Sequence, residues 1–179
     1  MTNNEKDLSD KSVSQSTFPV LHNFNEMYTP PEAVDIISKY LPKDKVYWEA
    51  CYGMWHFANR LIENWFNVIW NIDIDCLYEN PDWWDIFITN PPFNGNKKFI
   101  KRAIELWKPF VLLIRLEHLG GVEASNLLKH LSDYTIIIPQ KRINYIPPKM
   151  MRWEKVWWSQ FHSVFLTYWL NLWDKIIYD

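Results

Sequence analysis

Glycine is the residue this sequence most lacks: 4 in 179 positions, against 12 tryptophans. Average usage is ~7%, so an α/β domain of this size should carry about a dozen. Cysteine is scarce too. Cys51 and Cys76 stand at no metal-ligand spacing and make no disulfide framework, so no metal is expected and a reducing, cytoplasmic setting is the plain inference. Neither charge sign is in excess. A net charge of −2 and a pI near 6.2 exclude a generally basic nucleic-acid binder and leave such contact to a local patch. No apolar run approaches the ~18 residues of a membrane span, and the polar start has no apolar signal region.

What is present fits one domain with a single sizeable core and little room for a separate target-reading domain. Residues 1–22, rich in Ser, Asp, Asn and Lys, read as a disordered tail, which leaves 23–179 as the folded unit. Its centre is Thr89-Asn90-Pro91-Pro92-Phe93, directly after the apolar run Ile86-Phe87-Ile88. Two prolines that cannot donate to a ladder stop a buried strand abruptly. Asn90 therefore falls at a strand's carboxyl end, the edge where open α/β sheets bind ligands. Proline also restricts the residue before it, so Asn90 and the Pro91 carbonyl are rigid acceptors beside an aromatic ring. Two such acceptors suit a flat amine: each takes one N–H, which favours a pyramidal nitrogen with its lone pair aimed at an electrophile.

Upstream, apolar residues at helical spacing predict a helix over 30–41, with Thr29 as N-cap, Pro30 at the first helical position and Glu32 closing a capping box. A strand over 46–50, a turn over 51–55 and a helix over 57–64 follow, the unit that sets backbone N–H groups beside a ligand. His56, at the start of that helix, reads as a capping or packing residue. A second strand is expected from Asn67 towards Leu77. Lys97, Lys98, Lys101 and Arg102 cluster at the start of a helix over 97–107, where the dipole disfavours cations; they either await phosphates or form a solvated face. Strands over 109–116 and 134–138 flank a helix over 123–131. A basic turn with Lys141 and Arg142, a loop over 149–160 and a last strand over 163–168 complete the pattern.

Asn-Pro-Pro-Phe after a hydrophobic strand resembles the catalytic motif of S-adenosylmethionine-dependent N6-adenine methyltransferases, in particular small phage-type DNA enzymes. The resemblance spans about 24–178 and includes Arg142-Ile143-Asn144 and the closing Ser-Val-Phe-Leu-Thr-Tyr. It implies a Rossmann-like class I α/β fold, a seven-stranded, mostly parallel sheet flanked by helices. Asn90, Pro91, Pro92 and Phe93 would be catalytic, with Phe93 stacked on the base. Tyr28-Thr29-Pro30-Pro31 resembles the segment that touches the methionine end of the cofactor, and Thr29 can cap a helix there as well. Glu49-Ala50-Cys51-Tyr52-Gly53 resembles the cofactor loop, with a proline missing and positions 53–55 altered; Glu49 would face the sulfonium and amino groups. Asp73 would take both ribose hydroxyls. Asp75-Cys76-Leu77 matches a run reaching the cofactor's adenine amine, and Asp75 otherwise reads as a loop carboxylate. The basic residues above would meet DNA or RNA, the protein acting as a monomer or loose dimer. The same chemistry serves RNA adenine and protein glutamine, and a non-catalytic nucleic-acid binder is the reading of another class.

Against that family, nine tryptophans stand where glycine is expected: Trp55, Trp65, Trp70, Trp107, Trp153, Trp157, Trp158, Trp169 and Trp173. Trp65 and Trp107 follow helices, at positions that want left-handed backbone. A gene whose UGA codons mean glycine, translated with UGA as tryptophan, gives this pattern and leaves Trp48 and Trp84 genuine. The alternative is an aromatic-rich binder whose indoles stack on bases or sugars.

Overall fold

The computed structural model describes residues 27–51, 53, 55–70, 73–146 and 159–179. The tail over 1–22 and nearly all of the loop over 149–160, with Trp153, Trp157 and Trp158, lie outside them. Seven strands form one sheet: β1 (Val46–Glu49), β2 (Asn67–Ile69), β3 (Ile86–Thr89), β4 (Phe110–Arg115), β5 (Tyr134–Ile138), β6 (Ser163–Tyr168) and β7 (Ile176–Tyr178), in the order β2-β1-β3-β4-β6-β5-β7. Pairing is parallel from β2 to β4 and between β5 and β7, and β6 runs against both its neighbours. Four α-helices accompany it among the described residues: α1 (Pro31–Ser38), α2 (His56–Glu63), α3 (Asn96–Glu105) and α4 (Gly121–Leu128).

Burial on both faces explains why β1, β3 and β4 read as nearly unbroken apolar runs. Side chains alternate between two cores. Tyr47, Ile86 and Ile88 pack with Val34, Ile37, Phe57 and Leu61 of α1 and α2. Trp48 and Phe87 pack with Phe99, Ile100, Ala103 and Leu128 of α3 and α4. The chain leaves β1 for β2 on one side and returns to β3 on the other, so a crevice opens where the carboxyl ends of β1 and β3 diverge.

Several boundaries differ from expectation. Pro30, not Thr29, is the N-cap of α1, Pro31 takes the first helical position, and no side chain caps the helix. Strand β2 ends at Ile69, which places Asp73 in the following turn region rather than at the strand's end. A short 3₁₀ turn (Leu116–Leu119) precedes α4, which starts at Gly121. The last strand is β7, which pairs with β5 through Ile136 and Ile176. No helix among the described residues is long and apolar enough to cross a membrane.

The tryptophans divide into two kinds. Trp48 and Trp84 are 1% and 3% exposed and pack against each other and Phe87. Trp55, Trp65, Trp107 and Trp169 have φ of 69°, 64°, 51° and 56°; Asn171 is the fifth non-glycine residue with positive φ among those described. Trp65 closes a complete Schellman ending of α2, its N–H donating to the Ile62 carbonyl at 2.9 Å and that of Phe66 to Leu61 at 3.0 Å. Trp107 ends α3 in the same hand, its N–H donating to Ile104 at 3.2 Å.

Trp48→Ala is expected to cost ~3–5 kcal/mol of unfolding free energy. Trp173→Ala, at a fully exposed position, should change it by less than about 0.5 kcal/mol. Urea unfolding of both variants checks this, and equal losses would contradict the division.

Candidate active site

The crevice between β1 and β3 brings together residues far apart in sequence. At the end of β1, the Glu49 carboxyl is 1% exposed. Its Oε1 accepts from the Thr89 hydroxyl at 2.9 Å and from the Cys51 N–H at 3.2 Å. Its Oε2 is buried with no hydrogen-bond partner. Burial pushes the carboxyl up to about 8 from an ordinary 4.5, while the bonds from Thr89 and Cys51 pull the other way. Thr89, the last residue of β3, also accepts from the Cys51 N–H at 3.0 Å. One side chain of β3 therefore ties the carboxylate of β1 to the turn that follows it. Sequence patterning had given Thr89 no such role.

One residue further on, Asn90 leaves the strand. Its Nδ2 donates to the Thr29 hydroxyl at 2.9 Å and to the Met27 carbonyl at 3.4 Å. A main-chain carbonyl only accepts, so these contacts turn the amide nitrogen towards the segment before α1. The oxygen, Oδ1, is buried and has no partner. The segment itself is anchored: Tyr28 and Ile146 exchange both backbone hydrogen bonds at 2.9 Å. Thr29 thus positions the asparagine instead of capping α1. His56 stacks on Tyr28 with ring centroids 4.7 Å apart, the packing role expected of it.

Beyond the prolines, Pro91 is buried and Pro92 exposed, and the Pro92 carbonyl accepts from Asn96 Nδ2 at 3.1 Å. Asn96 Oδ1 in turn meets His118 Nδ1. Phe93 is 5% exposed. Its ring meets Tyr145 and Phe161 edge-on, each at 5.1 Å, and the Arg115 guanidinium lies over its face at 4.7 Å. A base reaching that face has to displace Arg115. Arg115, at the end of β4, also covers Phe161 at 4.0 Å, and its Nε is buried without a partner. Nothing in the local sequence singled it out.

The remaining candidates are more scattered. Gly53, φ 47°, stands exposed in the turn after β1, with Ala50 buried before it. Asp73 is exposed. Asp75 organises its own turn, its Oδ1 accepting from the Leu77 N–H at 3.0 Å. Cys51 and Cys76, unrelated by spacing, lie with sulfurs 3.8 Å apart. Arg102 is engaged within the chain: its guanidinium donates to the carbonyls of Cys76 and Glu79 at 2.9 and 3.1 Å, bracing that turn on α3. Lys97 pairs with Glu123 at 2.9 Å and Lys101 faces Glu105 at 3.7 Å. Lys98 and Lys141 are exposed, and Arg142 is exposed with a bond to the Ser159 carbonyl at 3.3 Å. No group of three His, Cys, Asp or Glu residues among those described is placed to hold a metal.

The crevice is tight. Met27, Tyr28, Thr29, Cys51, Gly53, His56, Phe57 and Asn90 enclose about 40 Å³. A larger depression of about 540 Å³, lined by Tyr40, Asp85, Pro109 and Trp169 among others, lies at the opposite, amino ends of β3 and β4. It holds none of the orphaned acceptors, and these point to the crevice as the candidate site.

No family model matches the chain, and no curated protein matches it. Among solved structures it is similar to one assigned as a class I S-adenosylmethionine-dependent methyltransferase from Listeria monocytogenes, at 13% identity and a TM-score of 0.56, covering 87% of this chain and 66% of that one. A modification subunit assigned to a type I restriction enzyme of Vibrio vulnificus matches at 12% identity and a TM-score of 0.49, over 80% of this chain and 44% of that one. A dimethyladenosine transferase from Plasmodium falciparum matches at 13% and 0.47, over 79% and 62%. The chain spans less than two thirds of each of these structures. The Listeria likeness and the strand order show the fold: Rossmann-like, of the class I methyltransferase type, with a seven-stranded, mostly parallel sheet.

The buried carboxyl has a consequence for stability. Folded chains keep a proton on Glu49 that unfolded chains release between about pH 4.5 and about pH 8, so this group's contribution to stability falls as pH rises through that window. Glu49→Gln should flatten that part of the urea-midpoint profile; a parallel fall in both proteins would contradict the burial.

Proposed function

We propose that this protein transfers a methyl group from S-adenosylmethionine to the N6 amine of adenine in DNA. The observation that supports it most is the Asn90 amide: its nitrogen is engaged by Thr29 and Met27, and its buried oxygen is left as a fixed acceptor at the sheet's ligand-binding edge. An adenine amine is a poor nucleophile because its lone pair is delocalised into the ring. Asn90 Oδ1 and the Pro91 carbonyl, each accepting one N–H, favour the pyramidal geometry and direct the lone pair at the methyl carbon. The C–S bond breaks as the N–C bond forms, and the amine then loses one proton. The scheme uses no metal and no covalent intermediate.

Glu49 supports the cofactor half of this reading. Its orphaned Oε2 suits the ammonium or sulfonium of the donor. The carboxyl, pushed up to about 8, ionises when that cation arrives, so binding releases a proton and strengthens as pH rises towards about 8. Tyr28, Thr29, Cys51 and Gly53 line the cavity beside Asn90, Ala50 follows Glu49 in the chain, and Asp73 and Asp75 would reach towards the ribose and adenine. The target base leaves its stack to enter, at a cost of a few kcal/mol. Phe93 stacks on it once Arg115 has moved, and Lys98, Lys141 and Arg142 then meet phosphates. RNA adenine and protein glutamine present a similar NH₂ and are the second reading.

Incubation of the protein with glycine restored at the nine tryptophan positions, with methyl-labelled cofactor and separate DNA, RNA and protein pools, checks the substrate. Label in adenine of DNA is expected, and label in protein alone would overturn the assignment. In that glycine-restored protein Asn90→Ala should lower kcat by about a hundredfold or more while leaving cofactor affinity within a few-fold; unchanged kcat would contradict the role given to its oxygen.

A further inference from the structure

We infer that positions 55 and 70 are glycine in the working protein, and that their indoles in this chain fill the cleft in which the methyl donor binds. The inference deepens the methyltransferase reading and rests on it for the identity of the ligand. At position 55 it rests on backbone conformation and crowding, and at position 70 on the ring contact with Trp55.

Conformation comes first. A bulky non-glycine residue at positive φ is a genuine outlier, yet four of the five described here are tryptophans: 55, 65, 107 and 169. Three of the chain's four glycines share that hand. Two of the four tryptophans follow helices, at the C′ position where a residue without a Cβ is favoured. None of the four is a core residue; their exposures are 37%, 88%, 75% and 38%. The tryptophans that build the core, Trp48 and Trp84, are buried and not left-handed. Strain therefore picks out Trp55, Trp65, Trp107 and Trp169, and core packing picks out Trp48 and Trp84; Trp70, Trp83 and Trp173 belong to neither set.

Crowding comes second. Trp55 stands in the turn between β1 and α2, and Trp70 directly follows β2. Their rings meet edge to face with centroids 5.0 Å apart, bridging the loops at the carboxyl ends of two adjacent parallel strands. A nucleotide-type ligand of this fold class lies across those loops. The cavity that Gly53 and His56, the described neighbours of Trp55, line with Asn90 is about 40 Å³, whereas sites for molecules of this kind run to ~300–1,000 Å³. Two orphaned acceptors, on Glu49 and Asn90, lie at that same edge of the sheet. Glycine at 55 and 70 removes both rings and the left-handed strain at 55 together.

One cause gives every substitution the same direction. UGA differs from the tryptophan codon UGG in its last base and from the glycine codon GGA in its first. A gene in which UGA means glycine, read with UGA as tryptophan, produces a chain poor in glycine and rich in misplaced indoles.

The test has three arms. The codons at 55, 65, 70, 107 and 169, with peptide masses of the protein from its native source, should show UGA and glycine; UGG codons or intact indoles would overturn the inference. Trp65→Gly and Trp107→Gly, melted without ligand, should each raise Tm by about 2–4 °C, while Trp48→Gly lowers it; a fall at 65 and 107 counts against the assignment whatever the enzyme does. Trp55→Gly combined with Trp70→Gly should bind S-adenosylmethionine saturably by calorimetry where the parent chain does not. If native peptides carry glycine at 55 and 70 and that form still takes up no cofactor, the glycine assignment stands and the methyl-donor reading of the cleft is the part that fails.

Discussion

The Met27 carbonyl accepts a hydrogen bond and cannot donate one, and this sets which way the Asn90 amide faces. The rest of the site follows from that orientation. Thr29 takes the second N–H, and the backbone exchange between Tyr28 and Ile146 holds the whole segment across the mouth of the crevice. The asparagine oxygen then points where neither protein donor nor bulk water satisfies it. A buried acceptor without a partner costs roughly 1–3 kcal/mol. Such a cost is understandable where a ligand's N–H completes the bond.

Glu49 repeats the pattern on the neighbouring strand. Its Oε1 is held by Thr89 and Cys51, and its Oε2 is buried without a partner. Because Thr89 precedes Asn90, the strand that presents the acceptor for the amine also fixes the carboxyl that would meet the donor's positive charge. In the proposed reaction both electron-rich partners, one for an N–H and one for a cation, would be set by the parallel register of β1 and β3, in which Glu49 lies across from Ile88. Arg115 adds a constraint on the substrate side, since its guanidinium covers the Phe93 ring that a flipped base would use.

Much of this was legible in the sequence. The apolar runs of β1, β3, β4 and β6 betray strands buried on both faces, and Pro91-Pro92 fixes where β3 stops. The strained positions at 65 and 107 followed from helix-ending geometry before any coordinates. What escaped depends on contacts between distant residues. Thr29 looks like an N-cap because its neighbours are helical, but Asn90, 61 positions away, takes its hydroxyl. Arg102 looks like a phosphate ligand until the turn over 76–80 folds onto it. β7 is short and mostly exposed, with too little periodicity to announce itself. The meeting of Cys51 with Cys76, and of Arg115 with Phe93, has no local signature.

The account stands on a planar NH₂ caught between Asn90 Oδ1 and a main-chain carbonyl, opposite the donor's methyl carbon. A crystal structure of the glycine-restored chain with a non-reactive donor analogue and a short adenine-containing duplex tests this most directly. The account predicts an extruded adenine whose N6 lies within hydrogen-bond distance of Asn90 Oδ1 and the Pro91 carbonyl, with Glu49 beside the analogue's amino group. An adenine bound elsewhere, or an Asn90 side chain still pointing its oxygen at an empty crevice, would contradict it.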